Sequence, residues 1–426
     1  MNHVIIGNGP TGIIAAETLR KEDPQCTITV IGDEPELPYS RMAIPYYLIG
    51  GIDERGLHLR KDEQHFRNLK IDLIDLPATR VDAGKRQVLL KDGQKLDYDK
   101  LLIATGSKPA SAPIPGIDLP GVHSCWTLDD ARHIAKIAKP GARVVQMGAG
   151  FIGCIILEAL ASRGVELTVI EMGNRMVPRM MTDGAGSLIK KWCEKKGVKV
   201  YTATKVTAIE KAEPKAQAGG PLRVKLDNGK VLDADLVISA TGVRPNIEFL
   251  KGTGIKTEAG VLVDADMQTN IPGIYAAGDV AQATEFNTGH RIVNAIQPNA
   301  ADQALVAARN MAGKTTRSQG TMAINVLDTM GLISSSFGQW MGVEGGDHAE
   351  LTDAENFRYL RLEFKDDVLI GATSLGLTEH VGVIRGLIQS RLHLREWKEL
   401  LMQDPTRFVD AYIARSQGSE ELAARP

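Results

Sequence analysis

One backbone signature occurs twice in this chain, and it constrains the fold more than anything else in the sequence. Val4-Ile5-Ile6-Gly7-Asn8-Gly9-Pro10-Thr11-Gly12 opens the chain, and Val144-Val145-Gln146-Met147-Gly148-Ala149-Gly150-Phe151-Ile152-Gly153 follows about 140 residues later. Each is an apolar strand running into Gly-x-Gly-x-x-Gly and then into a helix-forming stretch. The first glycine allows a tight turn, the second lets backbone approach a pyrophosphate, and the third lets the helix pack closely on the strand. The diphosphate then rests on the positive end of the helix. One such run is weak evidence. Two, each in strand–turn–helix context, imply two bound dinucleotides, and two such cofactors side by side usually exchange electrons.

The remaining statistics are those of an ordinary globular chain. A length of 426 residues implies two or three domains. A hydrophobic fraction of 43%, a charged fraction of 24% and a formal net charge of −2 give no electrostatic case for nucleic acid or an anionic membrane. No apolar run approaches the ~18–20 residues of a spanning helix. The N-terminus enters a strand at once, without a secretory signal, so a cytoplasmic protein is expected. The cysteines Cys26, Cys125, Cys154 and Cys193 are far apart in sequence, which predicts buried thiols rather than a redox pair, a zinc site or an iron–sulfur cluster.

The first unit reads as strand Val4–Gly7, a helix from about Thr11 to Arg20 and strand Thr27–Ile31, with Asp33 and Glu34 where an acid grips a ribose. Pro35, Pro38 and Pro45 predict loop around Tyr39-Ser40-Arg41. A strand near Leu101–Ala104 ends in Thr105-Gly106-Ser107-Lys108-Pro109, and Pro109–Pro120 reads as a linker. The second unit has a helix near Leu128–Ala138, strand Arg143–Met147, a helix from about Phe151 to Arg163 and strand Glu166–Ile170, closed by Glu171. Asp227-Asn228-Gly229 marks a hairpin turn. Strand Leu236–Ala240 ends in Thr241-Gly242-Val243-Arg244-Pro245-Asn246, so LLIATGSKP and VISATGVRPN echo each other. Ile274-Tyr275-Ala276-Ala277-Gly278-Asp279 is a strand ending in an acid, followed by a helix from about Pro298 to Met311. From Gly320 onward short strands (Thr321–Leu327, Tyr359–Phe364, Val368–Thr373) and helices near Glu379–Ser390 and Leu394–Asp404 form a separate α+β module, with frayed polar residues at the end.

With the two fingerprints, the two ATG turns and the AAGD strand in this order, the chain resembles the FAD-dependent pyridine nucleotide–disulfide oxidoreductases over nearly its whole length. PYSR and the YYLIGG stretch resemble the branch of rubredoxin reductases, ferredoxin reductases, the nitrite reductase flavin module, NADH oxidases and coenzyme A disulfide reductases. The implied fold class is α/β, with two Rossmann-like dinucleotide-binding domains for FAD and NAD plus a C-terminal α+β domain. The implied boundaries are 1–110 and 243–315 for FAD, 111–242 for NAD and 316–426 for the last domain. The resemblance places Gly7, Gly9 and Gly12, with Pro10 and Thr11, at the FAD pyrophosphate, and Asp33, beside Glu34, at the adenosine ribose. Arg41 would lie near the phosphates, Val81 would offer backbone to the adenine, and the turn Ala104-Thr105-Gly106 would line the flavin site. Asp279 would hold the ribityl chain, with Gly278 letting the flavin approach. Gly148, Gly150, Phe151, Ile152 and Gly153 would hold NADH, Gly242 would line the nicotinamide side, and Glu171 would accept the ribose hydroxyls and repel a 2′-phosphate. Asn174-Arg175-Met176 offers one arginine, which favours NADH over NADPH.

Departures from the family pattern narrow the chemistry. Where disulfide reductases and peroxidases place a redox cysteine, the aligned segment has Met42, and a thioether cannot supply a thiolate. Ile155 replaces a glutamate found in many relatives, with Glu158 the nearest acid, and Tyr46 falls where ferredoxin-reductase relatives often have lysine. No catalytic proton-transfer residue is assigned, because hydride passes directly between nicotinamide and flavin. The expected function is electron transfer between NAD(H) and a one-electron partner: a rubredoxin, a ferredoxin or an iron–sulfur subunit. The MVPRMM stretch, the IILEAL helix and the C-terminal module also look similar to FAD subunits of multi-subunit enzymes such as tungsten aldehyde oxidoreductases. The chain would then be a homodimer or a subunit of a hetero-complex. An oxygen-using NADH oxidase and an NADH-responsive sensor flavoprotein are the alternatives. In the C-terminal module Trp340, Phe357, Tyr359 and Trp397 read as core. Arg385, Arg391 and Arg395 stand at roughly helical spacing, either as a solvated face or as a docking surface.

Overall fold

The strand Asn2–Ile6 buries Val4, Ile5 and Ile6 in succession, so both of its faces are covered. Such a strand belongs inside a parallel sheet flanked by helices. A computed structural model describes residues 1–62, 64–212 and 221–417 and places it there. Contacts divide the chain into two compact units: Met1–Ala110 with Val243–Met322, and Ser111–Gly242 with the chain from Ala323 on. The polar C-terminal segment expected to fray lies outside the described residues.

In the first unit five parallel strands stand in the order Ile274–Ala276, Lys100–Ile103, Asn2–Ile6, Thr27–Gly32, Ile71–Asp75. The chain leaves Asn2–Ile6 toward one side and later returns on the other. The carboxyl end of that strand is therefore a topological switch point, where open α/β sheets form their ligand crevice. Helices Pro10–Glu22 and Gln297–Met311 pack together, with Ala304, Ala307 and Ala308 fully buried. Pro45 does not break the chain into loop as the sequence reading has it. It sits in the first turn of helix Ile44–Ile49, where a missing N–H costs nothing, and Gly50 ends that helix with φ 82°. An antiparallel sheet of Ala78–Asp82, Gln87–Leu90 and Lys95–Asp97 belongs to the same unit, as do two smaller sheets formed by segments after Gly106 and after Gly242.

The second unit repeats the plan. Its parallel strands run Lys199–Tyr201, Glu166–Ile170, Arg143–Met147, Leu236–Ser239, Val122–His123, again with the glycine-turn strand at the centre. It too carries a three-stranded antiparallel sheet, in which the turn at Gly229 (φ 83°) joins Leu222–Leu226 to Val231–Ala234. The proline-rich stretch after Pro109 is not a free linker. Ala112, Ile114, Ile117 and Leu119 pack against the buried cluster of Val145, Met147, Ile209 and Val224.

The chain from Ala323 on forms a five-stranded antiparallel sheet, ordered Ile324–Thr329, Leu332–Gly338, Val368–Leu375, Arg358–Lys365, Asp347–Asp353. The first strand starts later than its apolar pattern suggests because Thr321 is bridged to Glu285 of the first unit's own chain. This sheet docks on the second parallel unit through directed bonds. The Thr182 hydroxyl donates to the Tyr359 hydroxyl at 2.8 Å, and Trp192 Nε1 donates to the Thr329 carbonyl at 3.0 Å. Tyr359 and Trp340 are buried as expected, Phe357 meets Trp192 edge-on with centroids 5.0 Å apart, and Trp397 is half-buried beneath Arg407. The three arginines do not share a helical face. Arg385 lies within Val381–Ser390, whereas Arg391 and Arg395 have left-handed φ of 50° and 55° and flank the break before Glu396–Gln403.

Candidate nucleotide-binding sites

The first glycine turn is closed by backbone on two sides and open on the third. Gly7 has φ +119°, and a Cβ there would stand 2.1 Å from the Ala104 carbonyl oxygen. A Cβ on Gly12 would meet the Gly7 carbonyl at 1.8 Å, whereas one on Gly9 would meet nothing within 4 Å. The turn is thus pressed against the Ala104-Thr105-Gly106 corner while its middle glycine faces free space at the start of helix Pro10–Glu22. Pro10 sits in the first turn of that helix, and Thr11 behind it is buried. These are the requirements of a phosphate cradle: exposed backbone N–H groups and no side chain in the way.

The fold brings the distant AAGD strand to this turn. Gly278 has φ +79°, and a Cβ on it would lie 2.4 Å from the Thr11 hydroxyl. Its N–H donates to Gln303 at 2.9 Å, and the neighbouring Asp279 accepts from the Ser107 hydroxyl at 3.1 Å. Burial pushes the Asp279 carboxyl above its ordinary range, against the opposing pull of the Ser107 hydroxyl and the Arg41 charge. Arg41 pairs with Glu34 at 2.7 Å and reaches the Ser107 carbonyl at 3.4 Å. The Tyr39 hydroxyl donates to the other Glu34 oxygen at 2.7 Å. Of the two acids after Thr27–Gly32, Asp33 is exposed while Glu34 holds Arg41. Thr105 donates to the Asn246 carbonyl, and Asn246 N–H donates to Gly106, so the two echoing ATG segments meet in the short ladder of Ser107–Pro109 with Val243–Pro245. Val81 is buried in Ala78–Asp82, paired with Val88. The sequence alone does not mark Ser107, Gln303 or Tyr39 as site residues; the hydroxyl directly after the ATG turn is the signal it offers for Ser107.

The second turn has nearly the same backbone. Its helix cap, Gly150, has φ −74° and ψ −170°, against −74° and −175° at Gly9. A Cβ on Gly148 would stand 2.3 Å from the Ala240 carbonyl and one on Gly153 2.5 Å from the Gly148 carbonyl, while Gly150 and Gly242 face open space. Phe151 and Ile152, half-buried, begin the helix Phe151–Ser162. A brace invisible in the motif holds the turn: Gln146 Nε2 donates to both the Gly148 and Gly153 carbonyls at 2.9 Å.

Glu171 is buried, and its two oxygens are engaged by backbone. Ala149 N–H, inside the glycine turn, donates to one at 2.7 Å, and Gly173 N–H donates to the other at 2.6 Å. Arg175, the nearby cation, bonds the Met181 and Pro178 carbonyls and pairs with Asp183. Glu158 turns to the C-terminal sheet, accepting from Met330 N–H at 3.2 Å. Burial raises its carboxyl despite that bond. Met42 is half exposed, and all four cysteines are free and buried. Burial pushes the Cys125 and Cys193 thiols up to about 12 and Cys154 well above its ordinary value.

The pyridine nucleotide–disulphide oxidoreductase family matches residues 1–304. The chain is 32% identical to the NADH-dependent phenylglyoxylate dehydrogenase subunit epsilon of Aromatoleum evansii, over 95% of both chains. It is 37% identical to an NADH oxidase of Methanocaldococcus jannaschii over 74% of this chain and 70% of that one. Rubredoxin-NAD(+) reductase of Pseudomonas putida is 29% identical over 91% and 98%. Among solved structures the covalent putidaredoxin reductase–putidaredoxin complex aligns with a TM-score of 0.88 at 24% identity, covering 97% of this chain and 99% of that one, a likeness of fold. Among the described residues no helix is long and apolar enough to cross a membrane. A family match across well over half the chain, on a backbone shaped twice for a dinucleotide, makes this protein a member of the pyridine nucleotide–disulphide oxidoreductases, an FAD-dependent oxidoreductase that works with NAD(H).

Proposed function

We propose that the chain exchanges electrons between NAD(H) and a one-electron protein partner, as the NAD-facing flavin subunit of a larger iron–sulfur assembly. The observation that supports this most is the 32% identity with the phenylglyoxylate dehydrogenase subunit over 95% of both chains, against 29% with the rubredoxin reductase over a comparable length. The absence of a thiol at Met42 and the burial of every cysteine argue in the same direction, since thiol chemistry needs an accessible thiolate.

In this reading Gly7, Gly9 and Gly12 hold the FAD pyrophosphate against the N-terminus of Pro10–Glu22. Asp279 and Ser107 face the ribityl hydroxyls, and the Glu34–Arg41 pair sits at the phosphate side. Gly148, Gly150 and Gly153 hold NADH. Glu171 already accepts two backbone N–H bonds, so its charge is fixed beside the turn, where a 2′-phosphate would be repelled. The committed bonds of Arg175 leave it ill placed to offset that repulsion, which favours NADH. Bound FAD supplies the step from a two-electron to a one-electron carrier. The protein's part is to orient the two nucleotides and keep competing charges away.

Rapid mixing tests the reading. NADH should bleach the flavin of the full chain quickly, and an added ferredoxin or rubredoxin should restore the colour faster than oxygen does. The Methanocaldococcus relative favours a second reading, an NADH oxidase. Oxygen turnover that outruns every carrier would put that reading in place of ours. Purification of the untagged chain from its source, with an iron–sulfur polypeptide retained, would support the larger assembly.

A further inference from the structure

At the amino end of the first unit's central strand, far from the glycine turn, the fold assembles a set of donors that no motif announces. His3 lies in Asn2–Ile6, Asp23 caps the end of helix Pro10–Glu22, and Cys26 precedes strand Thr27–Gly32. One ligand atom from each lies within 4.8 Å of the other two. His3 is fully buried, and neither of its ring nitrogens has a hydrogen-bond partner. A buried polar group left without a hydrogen-bond partner is destabilising. The neighbouring positions Val4 and Ile5 show that a plain aliphatic side chain packs well in this strand.

We propose that His3, Asp23 and Cys26 bind a divalent ion of the zinc class, locking the first strand to the helix–strand corner. With all three atoms within 4.8 Å of one another, a central ion is at most about 2.8 Å from each, so movements of about 0.5–0.8 Å reach zinc bond lengths of ~2.0–2.3 Å. Imidazole, thiolate and carboxylate form a mixed donor set that suits zinc and excludes calcium or magnesium. The charges balance: two anionic ligands cancel the ion. Arg20, whose guanidinium is fixed by the Leu69, Pro24, Cys26 and Lys70 carbonyls, stands 3.8 Å from Cys26 Sγ, although burial still pushes that thiol above its ordinary value while no ion is bound. Asp23 is half-exposed and Cys26 and His3 are buried, so the ion enters from the Asp23 side and keeps a water there. Gly7 is four residues along the strand, roughly 13 Å away. The ion therefore acts on the corner and takes no part in electron transfer.

The test uses the full FAD-loaded chain, stripped of metal and titrated with cobalt(II), whose d–d bands fall to the red of the flavin. The expected result is one cobalt per chain with a tetrahedral thiolate spectrum, displaced by zinc, and a higher melting temperature with zinc than without. Cys26→Ser should abolish the thiolate signature and weaken binding by at least about tenfold, with Asp23→Asn weakening it in the same direction. Both variants should retain FAD and be bleached by NADH as the wild type is. Failure of the wild type to take up cobalt or zinc would overturn the proposal. So would cobalt spectra and affinity unchanged in Cys26→Ser. Should His3→Asn not fold, the half-exposed Asp23→Asn still decides the matter.

Discussion

The two glycine turns have almost superimposable caps but opposite surroundings. In the first, the acid after the strand looks outward to Arg41 and Tyr39, and a second acid, Asp279, arrives from a distant strand. In the second, the acid turns inward and takes N–H bonds from the turn itself. The first turn therefore reads as one wall of a larger polar enclosure, and the second as a self-braced cradle that is complete on its own. A resident cofactor suits the former and an exchanging one the latter, because a self-braced turn keeps its shape when its ligand leaves.

Breaking each turn should separate the two roles, and this is the largest effect expected. Gly7→Ala adds backbone strain of about 1–3 kcal/mol and a Cβ 2.1 Å from a carbonyl. FAD affinity should fall by at least about 100-fold and the purified protein should be colourless. Gly148→Ala should leave it yellow but unbleached by NADH, and a colourless Gly148→Ala would erase the distinction. Next comes the inward acid. Glu171→Gln places an amide donor against one of two backbone donors, and should lower stability by about 1–2 kcal/mol in denaturant titration. Glu171→Ala should shift the NADH-to-NADPH ratio of kcat/KM toward NADPH by about tenfold. An unchanged ratio removes Glu171 from cofactor choice. The outward acid should matter less, since Glu34 and Arg41 are partly exposed: Glu34→Gln should weaken FAD by less than about 1 kcal/mol. Smallest is the thiol response. With Cys125 and Cys193 pushed up to about 12, both should resist a thiol reagent at pH 8 until the chain unfolds, with NADH oxidation unaffected. Rapid native labelling with loss of turnover would return thiol chemistry to consideration.

What could be read from the sequence was local. Glycine spacing, strand apolarity and hairpin chemistry are short-range signals, and the elements they predict end within a few residues of those found, as at Arg143–Met147 and Glu166–Ile170. Pro45 misled because a proline breaks a helix interior yet suits its first turn, and only the position of the start decides which applies. The orientation of Glu171, the Gln146 brace and the meeting of Ser107 with Asp279 depend on strands far apart in sequence. The same holds for His3 with Cys26: the two are brought together by the corner after a helix, a contact no ligand-spacing rule describes.

The ladder of Ser107–Pro109 with Val243–Pro245 has a topological consequence. Pro109 and Val243 are register partners, so the chain departs for the intervening 133 residues, 110–242, and comes back at neighbouring points. A segment whose two ends are stapled side by side behaves as a cartridge in its host. Its two exits are held at one ladder, so a change of length inside it leaves the strand order of the host sheet untouched.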